Sequence, residues 1–297
     1  AVVPKDSTNP WFIRMEEGVK QYAADTGQNA FQKGPPEVDA AQQIQVTEDL
    51  IAQGVDALCV VPHDPGAMEP VLKKAMEAGI IVITHEASSQ ENCHWDLEAF
   101  DFNAYGGYIM DTLAEAMGEE GKYIARVGSL TNDSHNQEAD GAIKRQQEAY
   151  PNMELIEERI VTDDNPEVSY ETAKEVLKTY PDVKGFIGTG SYDTPGAGRA
   201  IEEAGLIGSV FACGTGMPAA NKELLDSGAV TALTLWDPAQ AAYAMCALAT
   251  HILNGGEVTE GMDLGIEGYD SLIMDGRVLT AAAWVTITKE NVDSFGF

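Results

Sequence analysis

The chain has 297 residues, 44% of them hydrophobic, and a formal net charge of −30 from 48 acidic against 18 basic side chains. That length is long for one core and comfortable for two domains, and the charge excludes a surface built to neutralise nucleic-acid phosphates or anionic lipid. No apolar run approaches the ~20 residues of a membrane-spanning helix, and the four cysteines, Cys59, Cys93, Cys213 and Cys246, stand far apart, which reads as free thiols.

The first stretch, AVVPKDSTNPWF at 1–12, sets a plan that later blocks repeat. Val2 and Val3 suit a buried strand, Pro4 ends its ladder, and Ser7, Thr8 and Asn9 can cap a helix that Pro10 can begin. The crevice at a strand's carboxyl end, beside a helix start, is where open α/β sheets bind ligands. Here it would hold Lys5, Asn9, Trp11 and Phe12. A charge and an amide can bond hydroxyls, and rings can cover the C–H face of a sugar. A helix with apolar Phe12, Met15, Val19 and Tyr22 is followed by a helix at 39–53, the apolar strand VDALCVV at 55–61, a helix at 68–78 and a strand at 80–84 that ends in HEASSQ. This rhythm predicts a parallel sheet with helices on both faces.

A strand-like segment at 94–103 passes into a helix at 105–117, and from Lys122 the alternation restarts. Strands are expected at 123–127, 155–161, 185–187, 210–213 and 231–235, with helices at 139–149, 169–179, 195–204 and 218–226. An Ala-rich helix at 238–253 precedes a tail, 272–297, that is β-rich in part. Two βα blocks meeting near residue 102 are implied.

The residues just beyond the strand ends form a short polar set. It includes His85 and Glu86; TNDSHNQ at 131–137, with Ser134, His135 and Asn136; TGSYD at 189–193, with Thr189 and Ser191; Thr215; and Trp236 with Asp237. Such a set in both halves fits a ligand clamped between two domains. Enzyme signatures are missing. His85-Glu86 lacks the second histidine of a zincin helix, GTGSYDTPGAGR at 188–199 does not keep dinucleotide spacing, and there is no P-loop, nucleophile elbow or paired-cysteine zinc pattern. We therefore expect no catalytic residue, no cofactor and no metal.

V-P-K with N-P-W-F, then D-A-L-C-V-V-P followed by L-K-K-A, G-I-I-V-I-T-H-E, L-W-D-P-A-Q and a tail with G-Y-D and K-E-N run in order along the chain. In these motifs it resembles the periplasmic sugar-binding proteins of ABC importers, ribose-binding-like and of type I, and within them the branch holding the autoinducer-2 and rhamnose receptors. The resemblance implies an α/β fold of two Rossmann-like domains with parallel sheets joined by a three-crossing hinge, the periplasmic binding protein-like I architecture. The lobes would be 1–102 plus 237–265 and 103–236 plus 266–297, with crossings near 101–103, 236–238 and 265–268. By position, Lys5 matches a ligand-binding lysine of the autoinducer receptors, and Glu86 stands where that branch and the ribose binders have an aspartate. Asn9, Trp11 and Phe12 match an Asn and two aromatics that hold ribose. Asn136 falls where ribose binders have an arginine, and Trp236 where they have a glutamine. Ser134-His135 replaces an Asp-Gln pair of the autoinducer receptors, and Thr189 and Ser191 replace a Pro and an Ala.

Those departures point to a neutral pentose, deoxyhexose or short sugar alcohol. The reading is a non-enzymatic, monomeric solute receptor that closes on a small neutral monosaccharide or polyol and delivers it to an ABC permease. It would work in the periplasm or at the outer face of the cell membrane, any signal peptide having been removed. The alternatives are the effector-binding core of a sugar-responsive repressor, which would carry a helix-turn-helix and a charge suited to DNA, an autoinducer-2 receptor, and an enzyme such as a sugar isomerase or hydrolase.

Overall fold

The computed structural model describes residues 1–297. In chain order the elements are β1 (Val2–Val3), α1 (Pro10–Thr26), α2 (Ala40–Gln53), β2 (Ala57–Val60), α3 (Pro65–Glu77), β3 (Ile81–Thr84), β4 (Trp95–Glu98), α4 (Phe102–Met117), β5 (Glu120–Val127), α5 (Asp133–Ala149), β6 (Asn152–Leu155), β7 (Ile160–Val161), α6 (Pro166–Thr179), β8 (Val183–Gly188), α7 (Asp193–Glu203), β9 (Phe211–Thr215), α8 (Lys222–Ser227), β10 (Ala232–Leu235), α9 (Pro238–Leu253), β11 (Ile273–Asp275), β12 (Val278–Thr280) and β13 (Val285–Ile287). No helix is long and apolar enough to cross a membrane. The chain forms two compact units. The first is Ala1–Asp101, Thr131–Ser134 and Trp236–Trp284, and the second is Phe102–Leu130, His135–Leu235 and Val285–Phe297.

The first unit is built on a sheet of order β1-β2-β3-β4-β12-β11. Its central strands are short and apolar, and run parallel with Val3 opposite Val60, Val60 opposite Thr84 and Thr84 opposite Asp96. A parallel strand covered on both faces needs an apolar run rather than an alternation. Val3, Leu58, Val60 and Val82 bury against Leu50 of α2 and Met68, Val71 and Leu72 of α3. α1 lies close along α9, because Gly18 has no side chain: a Cβ there would come within 1.9 Å of the Ala239 carbonyl oxygen.

The second unit has the sheet β13-β10-β9-β8-β5-β6, with β7 also on β5. Ile124, Phe186 and Ala212 from the strands pack with Tyr170, Val176 and Ile201 of α6 and α7. All four cysteines are free and buried.

Several boundaries differ from the sequence expectation; α3, α4 and α6 each begin three residues earlier, at Pro65, Phe102 and Pro166. The strand expected at 155–161 is two strands. β6 pairs with the start of β5 and β7 with its end, so that three steps along β5, from Tyr123 to Arg126, face five along the partner, from Leu155 to Ile160. Two extra residues loop out, in a stretch made polar by Glu157, Glu158 and Arg159. The helix expected at 139–149 begins six residues earlier, at Asp133, since its first turns are polar and carry no apolar period, while an acid at the first turn suits the helix dipole. Likewise α7 starts at Asp193, not at 195.

The tail also departs from the expectation. A lobe boundary near 265–268 would give 266–284 to the second unit, yet this segment belongs to the first. β11 and β12 form a hairpin about Gly276, at φ +60°, and β12 joins β4 in parallel, Val278 to Asp96 and Thr280 to Glu98. Only β13 passes to the second sheet, antiparallel to β10. Both sheets are therefore mixed.

Candidate functional site

The carboxyl edge of the first sheet is where the chain leaves β1, β3 and β4. β1 delivers Lys5 and β3 delivers Glu86, and the Lys5 ammonium meets the Glu86 carboxylate at 2.5 Å with each side chain only 4% exposed. A buried pair of this kind persists because removing either partner leaves an uncompensated charge. Glu86 has φ +59°, a left-handed backbone that an ordinary L residue resists. Its conformation is held from below: Glu98, at the end of β4, accepts the backbone N–H of Glu86 at 3.0 Å and of Ala87 at 2.9 Å. Two successive amides thus meet the two oxygens of one carboxyl group.

Asp96 lies two residues before Glu98 on β4, so the two acids share one face of the strand. Asp96 accepts a bond from the Thr84 hydroxyl at 2.7 Å. Burial raises the pKa of both carboxyls, and for Glu98 the neighbouring Asp96 adds to it.

An aromatic wall stands beside the pair. Asn9 caps α1 by accepting the Trp11 N–H at 2.9 Å, and Pro10 begins the helix, which fixes where Trp11 and Phe12 emerge. Trp11 meets Trp236 edge to face at 4.8 Å between ring centres, and Phe100 meets Trp236 at 5.0 Å. Trp236 donates its indole N–H to His85 Nε2 at 3.2 Å, while His85 Nδ1 lies 2.6 Å from the Leu97 carbonyl oxygen. His85 is thus a neutral imidazole with its proton on Nδ1 and both nitrogens engaged within the unit, a wall-builder rather than a free ligand group. Asp237 is similarly engaged: it caps α9 through the Ala239 N–H and takes a two-pronged ion pair from Arg14 at 3.0 and 2.8 Å.

The second sheet presents a different edge. β5, β7, β8 and β9 run parallel and end together, with Val127 opposite Val161, Arg126 opposite Gly188 and Gly188 opposite Gly214. Thr189 donates its hydroxyl to the Arg126 carbonyl oxygen at 3.1 Å. The Thr215 hydroxyl is 3.3 Å from that of Tyr105, and Ser191 lies half-buried just before α7. The second-sheet loops are held by Asp193, which accepts from the Gly190 N–H at 2.8 Å and from the Thr162 hydroxyl at 2.7 Å. Beneath it Arg126, fully buried, donates to the carbonyls of Asp193 and Ser169 and to the Thr172 hydroxyl. Burial raises the Asp193 pKa against the pull of Arg126, and lowers that of Arg126 against the pull of Asp193.

The early start of α5 places Ser134, His135 and Asn136 on a helical turn rather than in a loop. His135 Nδ1 accepts the Gly128 N–H at 3.2 Å, which leaves the proton of the neutral ring on Nε2. Asn136 bonds the Ser129 carbonyl oxygen and receives Arg159 on its own oxygen at 2.5 Å. Ser134, which groups with the first unit, donates to Asn132 at 3.0 Å.

Of the expected residues the structure brings Lys5 to Glu86, and Trp11 and His85 to Trp236, at the first edge. At the second edge stand His135, Thr189, Ser191 and Thr215. Sequence reading missed the residues that hold these sets in place: Asp96, Glu98, Arg126 and Asp193. The signals were two acids at i and i+2 in WDLE, and an arginine inside the apolar run YIARV. No group of three or more His, Cys, Asp or Glu side chains is placed to hold a metal ion.

Similarity to known proteins follows the same plan. A D-ribose/D-allose-binding protein of Pseudomonas aeruginosa is 28% identical over 245 residues, covering 78% of this chain and 75% of the relative. Among solved structures, LsrB from Clostridium saccharobutylicum in complex with AI-2 superposes with a TM-score of 0.91 at 21% identity, covering 100% of this chain and 99% of that one. An ABC transporter solute binding protein from Clostridium phytofermentas with bound L-rhamnose gives 0.88 at 20% identity, covering 99% and 96%. At those identities the structural likeness concerns the fold. A family model described as a periplasmic binding protein domain matches residues 1–257, and the chain belongs to that family.

Proposed function

We propose that this chain is a solute receptor of an ABC importer that binds one small neutral sugar or sugar alcohol, drawing on the carboxyl edges of both sheets. The observation that carries this reading is the Lys5–Glu86 pair at 2.5 Å beside the rings of Trp11 and Trp236. The pair is neutral as a whole, so it favours a neutral ligand, yet it keeps charged donors and acceptors that bond hydroxyls more strongly than neutral groups do. The rings supply an apolar face of the sort a pyranose or furanose covers. Lys5, Asn9, Trp11, Phe12 and Glu86 from the first unit, and His135, Thr189, Ser191 and Thr215 from the second, are the proposed contacts. His85, Asn136, Trp236 and Asp237 shape the edges through the bonds described above.

The same proposal includes hinge closure on the ligand, a monomeric receptor, a membrane permease as partner and work at the outer side of the cytoplasmic membrane, without catalysis. The ligands of the related proteins, ribose or allose, AI-2 and L-rhamnose, support a sugar-like ligand. A thermal-shift screen over pentoses, hexoses, deoxyhexoses, tetritols, pentitols and AI-2 tests it. A ligand at ~100-fold over its Kd adds ~2.7 kcal/mol to the folded state, which raises the melting temperature by several degrees. A flat result across the panel contradicts the reading, and conversion of a sugar detected by NMR would make the protein an enzyme.

A further inference from the structure

At the carboxyl edge of the second sheet, the turn after β7 has an unusual build. The Asn165 N–H bonds the Thr162 carbonyl oxygen at 3.0 Å, and the two residues between, Asp163 and Asp164, have φ +56° and +48°. Two left-handed residues in succession are the pattern of a type I′ turn, which ordinarily takes Asn and Gly. Asp163 points to solvent, whereas the Asp164 side chain is 9% exposed and turns inward.

Two glycines make room for it. A Cβ at Gly128, just past β5, would lie 2.1 Å from Asp164 Oδ1, and one at Gly190, just past β8, would lie 2.9 Å from the same oxygen. The carboxylate therefore occupies a slot between two strand ends that any other residue at Gly128 would fill. His135 Nδ1 is 3.9 Å away, and since that nitrogen accepts the Gly128 N–H, the ring keeps its proton on Nε2.

From this geometry we infer that Asp164 is a ligand-contacting residue of the second unit, which accepts hydrogen bonds from hydroxyls of the bound polyol and works beside the Nε2–H donor of His135. This inference rests on the receptor reading above and deepens it, for it specifies a ligand with adjacent hydroxyl donors. The backbone supports the assignment, because strain of this kind persists where the surrounding structure over-determines it and gathers at ligand clamps. A merely structural turn would be served better by Asn and Gly.

The test uses calorimetry on the wild-type chain, Asp164→Asn and, as control, Asp163→Asn, with the sugar or polyol found in the thermal screen and with its mono-deoxy analogues. Asn tolerates the left-handed region better than most residues, so Asp164→Asn keeps the turn, and its melting curve verifies that. The expected result is a loss of about ten- to hundred-fold in affinity for Asp164→Asn and none for Asp163→Asn. One deoxy analogue, lacking the hydroxyl that Asp164 takes, should bind the wild type and Asp164→Asn nearly equally. Wild-type affinity in Asp164→Asn overturns the inference. So does a loss of the same factor for every analogue, which would mean that Asp164 only supports the loop. If the wild type itself binds nothing in the panel, the receptor reading fails and this inference with it.

Discussion

The two sheet edges solve the same problem in opposite ways. At the first, the charges stand in front: Lys5 and Glu86 pair at the edge itself, walled by Trp11 and Trp236, and a buried acid, Glu98, grips the backbone of the Glu86 loop. At the second, the opposed charges stand behind: Arg126 and Asp193 hold loops from beneath, and the edge shows hydroxyls, an imidazole and the Asp164 carboxylate. Each unit thus uses one buried carboxylate to fix a strand-end loop through backbone N–H groups. The difference teaches that polar edges are set by what lies under them, and that the two sets will fail differently when broken.

The largest expected effect is on folding in the second unit. Arg126→Met strands Asp193 in the core without its counter-charge and leaves carbonyls of α6 and α7 without a donor, so unfolding by denaturant should show a loss of about 3–5 kcal/mol. A change below 1 kcal/mol would mean that Arg126 is incidental to that edge. The first unit should fail in folding and in binding together. Glu86→Ala leaves Lys5 as an unpaired buried ammonium, with a cost on the order of 3 kcal/mol. Joint replacement, Lys5→Met with Glu86→Leu, should recover most of that stability while ligand binding stays lost. Recovery of binding in the double variant would remove the pair from the site.

A smaller effect, shared by both edges, is on pH dependence. Asp96, Glu98 and Asp193 have folded-state pKa values raised above those of the unfolded chain, so the folded state holds protons that the unfolded state has released. Stability from these groups grows as pH falls through the folded pKa toward the ordinary carboxylate range, and is lost as pH rises. Asp96→Asn removes one buried charge and keeps an acceptor for Thr84. It should stabilise the protein at pH values above the ordinary carboxylate range and flatten the fall of melting temperature with rising pH there. An unchanged slope would mean that the first-unit acids do not hold that proton.

Much of the fold was legible in the sequence because buried parallel strands write themselves as apolar runs ending in polar loops, as in DALCVV and GIIVIT. The first edge was legible for the same reason: Lys5, Asn9, Trp11 and Glu86 stand directly after such runs. The second was harder. α5 opens with DSHNQEAD, which has no apolar period, so the turn that carries His135 looked like a loop. The hairpin around Asp275-Gly276 carried its own turn signal, yet its return to the first sheet depends on pairing with β4, a long-range choice that local pattern does not encode. Glu98 and Arg126 act through backbone groups far away in sequence, so WDLE and YIARV mark them as charges in apolar runs but do not say what they hold.

If one ligand draws on both edges, as proposed, titration calorimetry with the sugar or polyol from the thermal screen should register it on Glu86→Gln from the first unit and on His135→Ala from the second. A desolvated charge-assisted bond contributes roughly 1.5–3 kcal/mol and a neutral one about 1 kcal/mol. A loss of one to two decades in affinity is expected for Glu86→Gln and a smaller but measurable loss for His135→Ala, with both variants folded by their melting curves. Wild-type affinity in either variant would contradict it, and would leave the ligand to one unit alone.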